Sequence, residues 1–207
     1  IETAGGQERF KRLVRASDMV LESCAPGYME GLGLGYADLE AVNPGIIMVS
    51  ITPFGRTGPY KDYKAPDIVA WAMGGEMYPW GSSDLPPVRI SHHSQAHLHA
   101  AAEGAVGALT ALYHRSVTGA GQQVDVSVQD SVVRVTYGVT AAWDMQRIIQ
   151  RRGERILPNI DITRVWPCRD GHIIYIFFGG VFARRFNIPL VEWMESEGMA
   201  DDFLRGF

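Results

Sequence analysis

Short apolar runs alternate with helix-forming stretches along the first 130 residues, and no other feature of the sequence constrains the fold as much. The runs at 18–22, 46–52 and 123–127 are bounded by turn residues, which indicates buried β-strands. Helical patterns precede and separate them at 7–16, 36–43, 66–74 and 96–116. Because strands connected through helices usually pair in parallel, the pattern predicts an α/β fold with an open, mostly parallel sheet.

The rest of the sequence has a different pattern. An amphipathic helix is predicted over 128–151, and Asp170-Gly171 then separates two apolar runs, as in a β-hairpin. Helical stretches near 182–187 and 190–199 follow. We therefore expect part of a large domain at 1–130, a linker helix at 131–155 and part of a small α+β domain at 156–207.

Composition argues against some partners. The 19 basic and 23 acidic residues give a net charge of -4, so there is no electrostatic reason to expect a nucleic acid or an anionic membrane as a partner. Cys24 and Cys168 are too few and too far apart for a disulfide framework, and no apolar run approaches the ~20 residues that span a bilayer. We expect a cytoplasmic protein, of which this chain, beginning at Ile1 without a methionine, is a piece.

Four segments resemble, in the same order, the family III CoA-transferases, the CaiB/BaiF group that includes formyl-CoA transferase and carnitine CoA-transferase. They include SITPFGRTGPY and VDVSVQDS and lie at 17–67, 107–131, 166–177 and 190–203. The resemblance implies a Rossmann-like large domain, which is incomplete here, a small α+β domain, and two chains interlocked in a dimer. It also implies that the family's first strands and helices, which carry part of the CoA site, are missing, as is the C-terminal stretch that returns to the large domain.

The resemblance further implies an enzyme that moves coenzyme A between an acyl-CoA thioester and a small carboxylic acid, with CoA as part of the substrate. Lys64 falls on a family position that contacts CoA, although a solvated loop lysine beside Asp62 is the alternative. Ser23 and Cys24 follow a predicted strand, where open α/β sheets bind ligands, and they match an Asn-Phe pair common in the family. Gly31 stands where relatives often carry an arginine.

Two further residues match the family's catalytic region. Asp67 matches an acidic position beside the active site, and it could equally be a first-turn acid that the helix dipole favours. The family's nucleophilic aspartate begins the long helix, and counting back from GALTALYHR without a gap puts His97 at that position. An imidazole cannot form the mixed anhydride or the carboxyl-CoA thioester of the family mechanism, but it can act as a general base.

The replaced aspartate leaves three functions open. The first is CoA transfer by a homodimer, and the second is an acyl-CoA racemase or isomerase in which His97 transfers a proton. The third is a catalytically silent subunit that pairs with an active homologue.

Other motifs in the sequence give little evidence for a catalytic or metal-binding role. His93 and His97 have the i, i+4 spacing of a metal-binding helix face, but no HExxH pattern accompanies them, and we expect no metal. Cys24 has no base beside it in sequence and is taken as structural. The glycine segment 55–58 is interpreted as a turn, and 157–161 replaces the family's mobile glycine loop.

Overall fold

Three parallel strands, in the order β1-β2-β3, form the sheet at the centre of the first of two compact units, 1–153 and 154–207. The computed structural model describes residues 1–81, 83–89, 91–149, 151–152, 165–175 and 180–205. The described elements of the first unit are α1 (Ala4–Val14), β1 (Met19–Glu22), α2 (Tyr28–Gly31), α3 (Tyr36–Glu40), β2 (Ile47–Thr52), α4 (Asp67–Met73), α5 (Gln95–Thr118), β3 (Gln122–Ser127), α6 (Val128–Val135) and α7 (Tyr137–Gln146). The predicted parallel α/β sheet is confirmed.

Strand β2 is buried on both faces, which is why its sequence is an almost continuous apolar run. Ile47 and Val49 belong to a core shared with α4 and α5. Met48 points to a second core, which includes Val14 of α1 and Leu39 of α3. Side chains alternate between the faces of a strand, so this central strand joins two cores.

Helix α5 packs closely on the sheet because small residues form its inner face. A Cβ at Gly104 would lie 3.1 Å from Ile51, and one at Gly107 would lie 2.6 Å from Val124. The helix ends at Gly119, whose φ of 78° is the left-handed cap conformation that glycine favours. The helix predicted from its alanine-rich pattern is therefore confirmed, with ends extended by one or two residues.

The prediction of one helix over 128–151 is wrong in two respects, since α6 and α7 are separate helices and α7 ends at Gln146. Thr136 interrupts them with ψ 12°, and its hydroxyl donates to the carbonyl of Val133 at 2.7 Å. A threonine hydroxyl that bonds to its own preceding turn competes with the helical backbone. The predicted domain division at 130 and 155 stays a prediction.

The second unit contains a hairpin of β4 (Val165–Cys168) and β5 (Gly171–Ile174), which pair in antiparallel register across Arg169 and Asp170. A 3₁₀ turn (Gly180–Phe182), α8 (Ala183–Ser196) and α9 (Asp202–Arg205) follow. The two short helices expected near 182–187 and 190–199 are instead the single helix α8, which contains Pro189. A proline inside a helix removes one backbone donor and favours a kink, but it does not always end the helix.

Within the described ranges, no helix is both long enough and apolar enough to cross a bilayer.

Candidate active site

A cleft of about 420 Å³ opens beyond the carboxyl ends of β1 and β2. One wall is the turn that follows β1, and the other is the loop that follows β2 as it approaches α4. The lining residues are Ser23, Cys24, Ala25, Pro26, Pro53, Lys61, Asp62, Tyr63, Lys64, Ala65 and Pro66. Open parallel sheets bind ligands at this edge because their strand ends and loops converge there.

The first wall carries Ser23 and Cys24. Ser23 is exposed, and the half-buried Cys24 is a free thiol. The backbone N–H of Cys24 donates to Oε2 of Glu22 at 2.6 Å, which fixes the turn to the end of β1. Burial raises the pKa of the Cys24 thiol, and the nearby Glu22 carboxylate raises it further. The thiol therefore stays protonated at neutral pH, consistent with a structural cysteine.

The second wall carries two exposed lysines, Lys61 and Lys64, beside the aromatic ring of Tyr63. Tyr63 lies in an aromatic group with Tyr60 and Phe54, with ring centroids 5.3 Å and 6.4 Å away respectively. Ammonium groups can neutralise phosphates, and an aromatic surface can pack against a base or an apolar chain. This wall therefore has the chemistry to hold a long ligand with phosphate groups.

Arg56 connects the two walls from within the glycine-rich loop. Its guanidinium lies 3.6 Å from Oε1 of Glu22 and also contacts the carboxylate of Glu30. Its backbone N–H donates to the carboxylate of Asp125 on β3, at 3.1 Å and 3.3 Å from the two oxygens. The predicted turn is present, because Gly55 and Gly58 have φ of 80° and 87°. Sequence reasoning missed Arg56 because its partners lie far away along the chain.

Asp67 begins α4 and reaches across to the start of α5. Its Oδ2 accepts from the backbone N–H of Gln95 at 3.2 Å, and its Oδ1 accepts from that of His97 at 3.1 Å. The imidazole Nδ1 of His97 lies 3.1 Å from the same Oδ1. The Asp67 side chain is 12% exposed and that of His97 is 50% exposed, so the pair faces solvent through the imidazole.

A smaller pocket of about 10 Å³ adjoins this pair. It is lined by Asp67, Ile68, Trp71, Arg89, Ser91, His93 and Gln95. Trp71 Nε1 is buried and has no hydrogen-bond partner within the described part of the chain. The volume suits one water-sized group, which an indole N–H could bind.

The histidines near the start of α5 are not arranged as their i, i+4 spacing predicts. His93 precedes α5, which begins at Gln95, so His93 and His97 do not share a helical face. The His92 and His93 rings lie 3.8 Å apart between centroids, and His99 stacks on Trp71 at 5.7 Å. Among the residues with described positions, no group of three or more histidine, cysteine or acidic residues could hold a metal ion.

The structure therefore brings the predicted residues together in two groups. Ser23, Cys24 and Lys64 line one cleft, and Asp67 contacts His97. Pro66 lines the cleft and immediately precedes Asp67, so the groups are joined along the chain. Their roles stay predictions, and the predicted lid at 157–161 lies outside the described residues.

A family model described as CoA-transferase family III matches residues 1–202. The subunit BbsE of succinyl-CoA:(R)-benzylsuccinate CoA-transferase from Thauera aromatica is 35% identical over 97% of this chain and 48% of its own length. The succinyl-CoA–D-citramalate CoA-transferase of Chloroflexus aurantiacus is 39% identical over 83% of this chain and 42% of its own length.

A solved structure is similar over nearly the whole chain. The crystal structure of a CaiB/BaiF family protein from Brucella suis matches with a TM-score of 0.79 and 28% identity, over 95% of this chain and 50% of that one. The chain spans about half the length of the curated relatives it matches, or less.

Proposed function

Because the chain belongs to CoA-transferase family III, we propose that the whole protein transfers CoA between an acyl-CoA thioester and a small carboxylic acid. The observation that carries this proposal is the cleft of about 420 Å³ at the carboxyl edge of the parallel sheet, with Lys61 and Lys64 on one wall. A negatively charged, elongated ligand fits such a site better than a neutral one.

In this proposal the lysines bind CoA phosphates, while Ser23 and Cys24 line the opposite wall with short side chains. The Ser23 hydroxyl can donate to or accept from a polar group of the ligand. The Cys24 thiol gives van der Waals contact and no nucleophile, because burial and Glu22 raise its pKa. CoA is held as substrate, and no metal is needed for carboxylate attack on a thioester.

The family reaction needs a carboxylate nucleophile. It attacks the thioester carbonyl, releases CoA thiolate and forms a mixed anhydride. The thiolate then attacks the enzyme-derived carbonyl, which frees the donor acid and leaves an enzyme-bound CoA thioester. The acceptor acid's carboxylate repeats these steps in reverse and leaves with CoA. His97 cannot take this role, so the nucleophile in our proposal comes from a second, homologous chain.

The name of one similar protein supports a partner of this kind, since it describes a CoA-transferase subunit. The interlocked dimer implied by the family resemblance would then be a heteromer of this chain and an aspartate-bearing homologue. A homodimer stays the alternative. In the heteromer, this chain supplies a CoA cleft, and the partner supplies the covalent chemistry.

The contact between Asp67 and His97 favours a second candidate, proton transfer at the α-carbon of an acyl-CoA. The Asp67 carboxylate lies 3.1 Å from Nδ1, and the half-exposed imidazole has a second nitrogen, Nε2, that can accept a proton. This arrangement suits an isomerase or racemase, in which the C–S bond of the thioester stays intact.

One experiment separates these functions. The full-length protein is incubated with succinyl-CoA and a panel of free acids in deuterium oxide, alone and together with an aspartate-bearing homologue from the same source. Mass spectrometry follows CoA exchange and deuterium at the α-carbon, with His97→Ala in parallel. We expect exchange only in the mixed sample, in both wild type and His97→Ala. Deuterium incorporation without exchange that is lost in His97→Ala would support the isomerase instead. No CoA exchange in any sample would refute CoA transfer.

A further inference from the structure

Arg56 lies in the loop that leads from β2 to the lysine wall of the cleft, and its guanidinium reaches Glu22 at the end of β1, next to the opposite wall. The loop that carries Arg56 continues into Lys61 and Lys64. Its partner Glu22 ends β1 and, through Oε2, holds the N–H of Cys24 at 2.6 Å. A continuous set of contacts therefore runs from the lysine wall through Arg56 and Glu22 to the Cys24 wall.

These contacts are shielded from solvent. The Arg56 side chain is 17% exposed, and that of Glu22 is 6% exposed. Oε1 of Glu22 has no hydrogen-bond partner in the described part of the chain, so the guanidinium at 3.6 Å is its compensating charge. Removing one member of a buried pair leaves an uncompensated charge, which the surroundings relieve by moving or by admitting water.

The backbone of Arg56 is fixed as well. Its N–H donates to the Asp125 carboxylate on β3, so the loop is anchored to the third strand while the guanidinium reaches the first. The second carboxylate that contacts Arg56 belongs to Glu30 of α2, whose side chain is 42% exposed and so more exposed than that of Glu22. It adds a second contact on the solvent side, where an ion pair contributes less.

We propose that Arg56 is a positioning residue that fixes the separation of the two cleft walls through Glu22, and so sets the affinity of the cleft for CoA. The proposal rests on the proposed function, in which this cleft holds CoA. Arg56 does not line the cleft, so it acts through the walls rather than by touching the ligand.

Arg115 provides a matched control at the opposite edge of the sheet. Its guanidinium pairs with Asp18 at 2.7 Å and donates to the carbonyl of Gly45 at 3.0 Å, just before β1 and β2 begin. Its side chain is 20% exposed, close to the value for Arg56. Arg115→Ala therefore removes a similar tie between the same two strands, away from the cleft.

The first test titrates CoA into the full-length protein as wild type, Arg56→Ala, Arg56→Lys and Arg115→Ala. We expect Arg56→Ala to raise the Kd on the order of tenfold, because displaced walls no longer hold both ends of the ligand. Arg56→Lys keeps the charge and should recover part of the affinity. Arg115→Ala should lower Tm and leave the Kd within about twofold. Equal Kd values for wild type and folded Arg56→Ala would overturn the proposal.

The second test needs no ligand and so stands even if CoA does not bind. The alkylation rate of Cys24 is measured by mass spectrometry of its peptide, with the exposed Cys168 as reference in the same sample. Arg56→Ala should speed Cys24 labelling on the order of tenfold relative to Cys168, and Arg115→Ala should not. If Arg56→Ala does not fold, the double variant Glu22→Gln with Arg56→Met replaces it, since it leaves no buried charge, and its labelling is compared with that of Glu22→Gln alone. Unchanged Cys24 labelling in a folded variant would overturn the proposal. Faster labelling in a protein that binds no CoA would support the role of Arg56 in fixing the cleft walls and would refute the proposed function.

Discussion

Asp67 and His97 meet at 3.1 Å, Oδ1 to Nδ1, although they are 30 positions apart in the sequence. The same carboxylate accepts the backbone N–H groups of Gln95 and His97. Ser94, the residue that precedes α5, makes no side-chain cap of its own. Asp67 therefore caps α5 from another helix, with its carboxylate beside the imidazole of His97.

Replacing Asp67 should weaken the start of α5. Asp67→Asn removes the negative charge and one of two acceptor oxygens, so we expect the free energy of unfolding to fall by about 1 kcal/mol. Urea denaturation of the full-length protein measures this change. Asp62→Asn is the control, because Asp62 is an exposed carboxylate in the preceding loop. An equal effect of both substitutions would mean that the cap contributes nothing.

The fold could be predicted largely from the sequence because the apolar runs of the three strands are short and strongly bounded. The structure places β1 and β2 within one residue of those runs. The helix α2 was missed, because four residues are too few to show a period. Two helices were predicted near 182–187 and 190–199 where α8 is a single helix that contains Pro189, because a local pattern cannot show whether a helix continues through a proline.

The reactivity of Cys24 should depend on pH through its neighbours. Burial raises the pKa of the thiol and Glu22 raises it further, so the thiolate forms only at a pH above the usual value. Glu22→Gln removes the smaller cause and should shift the alkylation profile of Cys24 to lower pH, without bringing it to that of a free thiol. The site-resolved rate between pH 7 and about 10 is the measurement.

The raised pKa of Cys24 also makes the free energy of unfolding depend on pH. The folded chain holds the Cys24 proton more tightly than the unfolded chain, so this contribution is complete below the usual thiol pKa and is lost as pH rises through the raised value. If the pH profile of Cys24 alkylation is the same in Glu22→Gln and in wild type, Glu22 is not a cause of the raised thiol pKa.

Gly121 should be intolerant of a side chain. A Cβ there would overlap the carbonyl oxygen of Ile46, which belongs to the backbone and cannot rotate away. We expect Gly121→Ala to cost about 3 kcal/mol or more in unfolding free energy. Gly5→Ala in α1 is the matched control, since a Cβ there meets nothing within 4 Å, and it should stabilise the protein by about 0.5 kcal/mol. Similar unfolding midpoints for the two variants would contradict the packing of β2 against the turn before β3.

The candidate site was less predictable than the fold. Ser23, Cys24 and Lys64 could be named from their place after strands and from a family resemblance, and the structure gathers them in one cleft. Arg56 and Glu22 could not, because their contact spans the chain between β1 and the loop after β2. The i, i+4 spacing of His93 and His97 wrongly predicted a shared helix face, because the two residues share a face only if the helix begins before His93.

A titration of CoA into the full-length protein shows whether the cleft beyond β1 and β2 receives CoA. Wild type, Lys64→Gln and Lys11→Gln are compared; Lys11 lies on α1, outside the cleft. Since a charged hydrogen bond to phosphate contributes about 1.5–3 kcal/mol, Lys64→Gln should raise the Kd at least about tenfold. Lys11→Gln should leave the Kd unchanged. CoA binding that both variants retain equally would mean that the ligand is held elsewhere and that this cleft is not the CoA site.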